Sequence, residues 1–406
     1  MTVVITGIGV VAPNGLGTEA YWRSTLDGRS GIGRITRFDP GSYPARLAGE
    51  VPGFEPRRHL PGRLLPPTDH MTRLALVAAE QALADARLDP AGLPEYAAGV
   101  VTASASGGFE FGQRELEKLW SKGGDHVSAY QSFAWFYAVN TGQISIRHGL
   151  KGPSGVLVTE QAGGLDALAQ ARRHVRKGVA VVVTGGVDSA LCPWGWVAQL
   201  ANGRVSAGDD PGTAYRPFHR DAAGYVPGEG GAILIVEDAH AAGARGATPV
   251  AVVAGYAATF DPPAGSGRPG TLRRAVEQAL ADARVAPADV DVVFADAAGV
   301  ADLDRAEAGA LVAVFGAHGV PVTAPKTMTG RLASGGAALD LATAALALRD
   351  GIVPPTVNVD PVGYDLDLVT TARPARLRTA LVLARGFGGF NAAVVLTSPT
   401  AEGARA

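Results

Sequence analysis

The sequence predicts an α/β chain of two similar halves, with helices covering a largely parallel sheet. Three observations carry that prediction: short runs that are apolar throughout, Ala- and Leu-rich stretches of helical spacing between them, and one octapeptide that occurs twice. The runs are Val3 to Ile5, Val179 to Val183, Ala232 to Val236, Val250 to Val253, Val292 to Phe294, Leu381 to Leu383 and Ala392 to Leu396. Runs without polar alternation are the pattern of strands covered on both faces. Leu76, Ala79, Leu83 and Ala86 show the helical spacing, so strands and helices alternate along the chain. Glu80 to Arg87 and Glu277 to Arg284 both read EQALADAR, each followed by a Pro (Pro90, Pro287) and then an apolar run. Leu165-Asp166 with Gly178 is echoed by Leu339-Asp340 with Gly351. Two echoes in one order predict a duplicated unit. Gly243 to Pro249 reads as the connector, which gives halves of residues 1–248 and 249–406.

Composition narrows the function classes. The chain has 406 residues, 47% hydrophobic and 18% charged, with a formal net charge of -2. It is long enough to split into two packed units, since one core rarely serves more than about 250 to 300 residues. The charge balance excludes a basic nucleic-acid binder and a disordered tail. Thr2 to Val11 lacks a basic lead and is interrupted by Gly7 and Pro13, so it reads as a first strand. The long uncharged stretch around Asp188 carries Gly185, Gly186, Pro193 and Gly195, which a membrane-spanning helix of about 20 apolar residues would avoid. Cys192 is the one cysteine. It reads as a buried small hydrophobe in a soluble, cytoplasmic protein without disulfides.

Cofactor signals are absent. Gly107-Gly108 and Gly185-Gly186 lack the G-x-G-x-x-G spacing of a dinucleotide site. The histidines at 59, 70, 126, 148, 174, 219, 240 and 318 show no metal-ligand spacing and read as surface or satisfied interior residues. Neither a cofactor nor a metal is expected.

VITGIGVVAPNG at the start, Gly224-Tyr225-Val226-Pro227-Gly228-Glu229-Gly230-Gly231 near the end of the first half, and Gly386-Phe387-Gly388-Gly389-Phe390-Asn391 before the last run resemble the thiolase-fold ketosynthases over essentially the whole chain. The resemblance implies a thiolase-like fold, two duplicated βαβαβαββ halves packed as five αβαβα layers. Such an enzyme uses a thiolate at a helix N-terminus and two histidines that polarise a carbonyl and stabilise an enolate. Here the elbow is Val158-Thr159-Glu160-Gln161-Ala162-Gly163-Gly164-Leu165-Asp166-Ala167, with Gln161 where the cysteine belongs. Asp296, in Ala295-Asp296-Ala297-Ala298-Gly299-Val300, replaces the first histidine. Arg331, after Lys326-Thr327-Met328-Thr329-Gly330, replaces the second, and Lys326 is kept. A carboxamide forms no acyl thioester, so no catalytic group is intact.

Glutamine at the elbow resembles the chain-length factor, or ketosynthase β subunit, of type II aromatic polyketide synthases. That implies a heterodimer with an active ketosynthase α subunit, which condenses malonyl units delivered by an acyl carrier protein. The alternative is a loading-type decarboxylase that makes an acetyl primer from malonyl carrier protein through Gln161. Those domains keep their histidines and this chain does not. A standalone condensing enzyme fails on Gln161.

The resemblance also implies a substrate tunnel lined by Phe109, Gly112 and Leu116, for which ordinary helix packing is the alternative. Phe133 joins that set from Ser128 to Tyr137, the aromatic peak of the chain, which fits an interface, a channel or a core helix. Phe387, Gly388 and Gly389 match the family's pocket loop, which gives a backbone donor to an oxyanion hole. With Gln161 in place of cysteine, a structural role is expected for it. Asp296 and Arg331 are expected to face each other and fill the lapsed site; the alternative is that Arg331 binds a malonyl carboxylate.

Overall fold

The computed structural model describes residues 1–263 and 265–399. Ten strands form its backbone: β1 (Val3–Ala12), β2 (Ala98–Ala103), β3 (Ser154–Leu157), β4 (Val181–Asp188) and β5 (Gly230–Asp238), then β6 (Ala251–Phe260), β7 (Val292–Phe294), β8 (Pro321–Thr323), β9 (Thr379–Gly386) and β10 (Phe390–Thr397). The two sets share one spatial order, β1-β5-β4-β2-β3 and β6-β10-β9-β7-β8. They join where Val4 lies opposite Val252 and Ile5 opposite Ala251, antiparallel.

The sheet is mixed, where the sequence predicts a largely parallel one. In each set the first, fifth and fourth strands run antiparallel to their neighbours, and only the fourth, second and third are parallel. The reason is burial. A strand between two helical layers is apolar throughout whichever way its neighbour runs, so the pattern carries no information about direction.

Seven helices supply the layers: α1 (His70–Asp85), α2 (Phe109–Lys122), α3 (Val139–His148), α4 (Gly163–Arg176), α5 (Leu272–Ala283), α6 (Ala301–Phe315) and α7 (Ser334–Asp350). Successive residues of one strand feed different cores. Ala380 and Val382 of β9 pack with Leu165 and Leu168 of α4 and Leu341 and Leu346 of α7, whereas Leu381 and Leu383 pack with Ala279 of α5 and Leu311 of α6. Val181 and Val183 of β4 turn outward onto Leu74 of α1 and Ile144 of α3, and Val182 turns inward. Three cores, one between the two halves of this continuous sheet and one on the outer side of each, make the expected five αβαβα layers. Every residue of α7 from Ser334 to Leu348 is buried, as a helix sandwiched between sheets requires.

The repeated octapeptide has a geometric cause. A Cβ on Gly7 of β1 would stand 2.2 Å from Ala82 O and 2.7 Å from the Ala86 Cβ; on Gly255 of β6 it would stand 2.3 Å from Ala279 O and 2.7 Å from the Ala283 Cβ. Both glycines sit where the strand register slips. The next backbone N–H donates to an aspartate of the same octapeptide: Ile8 to Asp85 and Tyr256 to Asp282, both at 2.9 Å. EQALADAR recurs because each half seats a kinked first strand on a small-residue face and caps that N–H. Among the described residues no helix is long and apolar enough to cross a membrane.

Candidate functional site

β3 ends at Leu157, a short 3-10 turn covers Glu160–Ala162, and α4 begins at Gly163. Glu160 takes the left-handed region, with φ 51, a conformation a non-glycine side chain tolerates at a tight elbow. Gln161 follows and is 4% exposed. Oriented so that both amide atoms are satisfied, its nitrogen donates to Ala333 O at 3.0 Å and its oxygen accepts the Ala333 N–H at 3.1 Å. Ala333 is itself held at φ 48 ahead of α7. A Cβ on Gly336 would come within 2.6 Å of the carboxamide, so the glycine makes room for it. The Gln161 amide is thus a brace between the start of α4 and that of α7.

Arg331 and Asp296 face each other, both buried. Arg331 Nη2 lies 3.0 Å from Asp296 Oδ1 and Nη1 3.2 Å from Oδ2, a bidentate pair. Nη1 also donates to Asp296 O at 2.8 Å and Nη2 to Arg385 O at 3.2 Å. Burial works against both charges. Arg331 and Lys326 nevertheless hold the Asp296 carboxyl below its usual range, and Asp296, Tyr215 and Glu160 raise Arg331 well above its own. Retained Lys326 donates to Ala295 O at 2.6 Å and Asp296 O at 3.0 Å and pairs with Asp340 Oδ2 at 2.7 Å. It fastens the Asp296 segment to α7.

A cavity of about 730 Å³ opens beside this pair. Phe387, Gly388 and Gly389 line it, as do Asp296, Arg331 and Phe109. Gln161 and Lys326 lie outside its lining. Glu160, which the sequence reading passed over, lines it instead. Its Oε2 accepts the Phe387 N–H at 2.9 Å, and burial, partly opposed by Arg331, pushes its carboxyl up. Glu160 thereby occupies the backbone donor of the pocket loop. Arg204 and Tyr225 were also missed; Arg204 stacks 4.9 Å from the Phe387 ring centre and Arg331 lies 5.6 Å from that of Tyr225.

The tunnel set divides. Phe109 reaches the cavity and packs on Trp194, with ring centres 4.6 Å apart. Gly112 is buried, and a Cβ there would meet the Trp194 ring at 3.1 Å. Leu116 is half-buried, and Phe133 is 37% exposed. The cavity of the single chain stops at Phe109. Tyr130, Trp135, Phe136, Tyr137, Trp194 and Val197 are exposed large hydrophobic residues from the same region. Cys192 is buried, its thiol pushed up to about 11 chiefly by burial, and it accepts the Gly195 N–H at 3.5 Å.

With this geometry in hand, family models match as the N-terminal domain of β-ketoacyl synthase over residues 1–242 and its C-terminal domain over residues 250–360. The chain belongs to the β-ketoacyl synthase family. It is 62% identical over 399 residues to a protein of Streptomyces glaucescens named tetracenomycin polyketide synthase ketoacyl synthase beta subunit, covering 97% of this chain and 98% of that one. Among solved structures it resembles the ishigamide ketosynthase/chain length factor, with a TM-score of 0.89, 30% identity and coverage of 98% of this chain and 99% of the other. It also resembles a chain from a type II PKS acyl-carrier protein in complex with its ketosynthase bound to the hexaketide, with a TM-score of 0.86, 28% identity and coverage of 98% and 99%. Within the β-ketoacyl synthase fold of this chain, the Gln161 amide is satisfied by Ala333, Arg331 by Asp296, and the Phe387 N–H by Glu160.

Proposed function

We propose that this chain is the non-condensing β subunit of a ketosynthase heterodimer. Its partner is a ketosynthase α subunit, and together they build a poly-β-ketone from malonyl-ACP, in the biosynthesis of an aromatic polyketide such as an antibiotic or pigment, with this chain setting its length. The observation that carries the reading is the elbow: an amide stands at the nucleophile position and is consumed in bracing Ala333. Carbon–carbon bond formation therefore falls to another polypeptide. The relative and the structures named above, a ketosynthase β subunit, a chain length factor and a carrier-protein complex, support the same assignment.

Two surfaces support a partner. Tyr130, Trp135, Phe136, Tyr137 and Trp194 expose aromatic area, the residue type enriched at interface anchors. Among the described residues β3 pairs only with β2 and forms a sheet edge, and Val158 just beyond it is 46% exposed; such an edge calls for cover. In this reading Gly112, Leu116 and Phe133 complete in the heterodimer a tunnel that Phe109 begins in the single chain. The halves 1–248 and 249–406 act as one scaffold, and the protein works in the cytoplasm. The decarboxylase alternative loses support, because Gln161 lies outside the cavity lining and the loop donor is taken by Glu160.

Reconstitution tests this. The purified chain, given an acyl primer and malonyl carrier protein, should make no elongated product, and adding an intact Cys-His-His α subunit should yield a poly-β-ketone. Elongation by the chain alone would overturn the proposal.

A further inference from the structure

Phe109 opens α2, and a short helix, Pro193–Leu200, carries Trp194. Their ring centres are 4.6 Å apart, so the spacing of these two segments decides how much room is left beyond Phe109. One direct tie joins them: the Trp194 N–H donates to Gln113 Oε1 at 2.8 Å. A residue distant from both in sequence holds them as well. Arg37 is half-buried in the loop between the strands Ile32–Arg34 and Leu47–Gly49, and its three guanidinium nitrogens reach three different elements. Nη2 donates to Glu110 Oε2 in the first turn of α2. Nε donates to Leu191 O at 3.3 Å, three residues ahead of Trp194. Nη1 lies 2.9 Å from Nε2 of His70, the first residue of α1.

Asp69 completes the third anchor. Its Oδ1 accepts the Met71 N–H and its Oδ2 the Phe111 N–H, both at 2.7 Å, so one buried carboxylate serves the open N-termini of α1 and α2 together. α1 is itself seated on β1, where Gly7 meets Ala82. A planar fork with fixed donor directions sets the relative places of the groups it binds, and its bonds to carboxylates are the strong ones. The places of Phe109 and Trp194 are thereby referred through Arg37 to the central sheet. Were Arg37 one more ion pair and nothing else, its loss would cost stability and leave that spacing alone.

We infer that Arg37 is a positioning residue for product length: its guanidinium holds the Phe109 and Trp194 segments at a fixed spacing and so fixes the bore of the tunnel that Phe109 begins. The inference rests on the chain-length reading proposed above, and it draws on neither Gln161 nor the pair of Asp296 and Arg331.

Product masses from a synthase reconstituted with an intact α subunit test it, with Phe109→Ala as the tunnel reference. In Arg37→Gln the ratio of other chain lengths to the main product should rise about tenfold, the worth of one hydrogen bond to a charged group. Glu229 keeps His70, Ser189 and the Val51 N–H, and Glu110 keeps Arg114, so the exchange strands no buried charge. Glu110→Gln should shift the lengths in the same direction, and the double variant no further than Arg37→Gln alone. Arg37→Lys keeps the charge without the fork and should not restore the wild-type lengths. Arg245→Gln is the stability control: Arg245 is 23% exposed against 22% for Arg37 and pairs with Glu237, and its loss should lower the melting temperature and leave product length unchanged. Amide exchange of the full chain alone, read over residues 109–115 and 191–197, should quicken in Arg37→Gln and not in Arg245→Gln. Wild-type lengths in Arg37→Gln and Glu110→Gln while Phe109→Ala shifts them, full rescue by Arg37→Lys, an equal shift in Arg245→Gln, or unchanged exchange would each overturn the inference and leave the chain-length reading intact. No product from the wild-type pair, or unchanged length in Phe109→Ala, would overturn that reading and the inference with it.

Discussion

Replacing Arg331 with methionine separates a structural ion pair from a ligand-binding arginine. The wild-type side chain makes four hydrogen bonds, two of them to the Asp296 carboxylate, which is 1% exposed. In Arg331→Met the carboxylate keeps the Arg385 N–H at 2.9 Å and the field of Lys326, and loses its bidentate partner. Removing one member of a buried pair costs about 3–5 kcal/mol, against about 0–1 for an exposed pair. With Lys326 retained the lower end applies, about 3 kcal/mol. The cost depends on pH in a fixed direction. Asp296 is depressed in the wild type, so its stabilisation is present above the unfolded carboxyl value and lost below it,. In the variant, burial raises Asp296, and the penalty grows as pH rises. Urea unfolding at pH 5 and pH 7.5 should show the larger deficit at pH 7.5. The double exchange Asp296→Asn with Arg331→Met should recover to within about 1 kcal/mol of wild type, since a neutral pair leaves no buried charge. A single variant with the wild-type urea midpoint at both pH values would refute the argument and return Arg331 to the role of carboxylate binder.

Further perturbations reach the other parts of the molecule. Gly255→Ala forces a Cβ within 2.3 Å of Ala279 O and should cost about 1–3 kcal/mol in urea unfolding, whereas Gly243→Ala, with open space around it, should leave the midpoint near wild type. Gly112→Phe must displace the Trp194 ring 3.1 Å away and should shorten the polyketide; product mass from a reconstituted synthase reads it, and an unchanged length removes Gly112 from the tunnel. Trp135→Glu should weaken association with the α subunit by about 30-fold or more, the size of an interface hot spot, read by titration, with no change excluding Trp135 from the contact. Asp304 and Asp188, pushed up to about 6 chiefly by burial, and Glu307, pushed up in the same way, favour folding below pH 4 and lose that contribution as pH rises through 6 to 7. Burial would raise Glu229 too, but His70, Arg37 and Ser189 hold it at about 2, so its contribution is lost as pH falls from about 4.5 toward 2. The melting temperature should therefore peak near pH 5, and a maximum above pH 8 would contradict the assignment.

What the sequence made legible were features whose cause is local. Val292 to Phe294 and Leu381 to Leu383 are strands because burial on both faces leaves no polar position. EQALADAR recurs because Ala82, Ala86 and Asp85 in one half, and Ala279, Ala283 and Asp282 in the other, do the same mechanical work on a kinked strand. Asp296 and Arg331 could be matched because opposite charges at two motif positions have few stable arrangements other than a pair. Strand direction was not legible, and neither were β3 and β8, which are short and, at Ser154 and Pro321, partly exposed. The cavity lining was missed for a different reason. Glu160 and Gln161 are neighbours, and the sequence gives no ground for choosing which side chain faces the cavity; the left-handed turn at Glu160 decides it. Once that turn aims Glu160 at the Phe387 N–H and Gln161 at Ala333, replacing Gln161 with cysteine would not rebuild a condensing site. The loop donor would still be blocked by a carboxylate, and no imidazole would stand at 296 or 331. In the reading proposed here the lapse of chemistry is distributed over three internally satisfied positions, Gln161, Arg331 with Asp296, and the Phe387 N–H, and restoring any one of them alone should give no turnover.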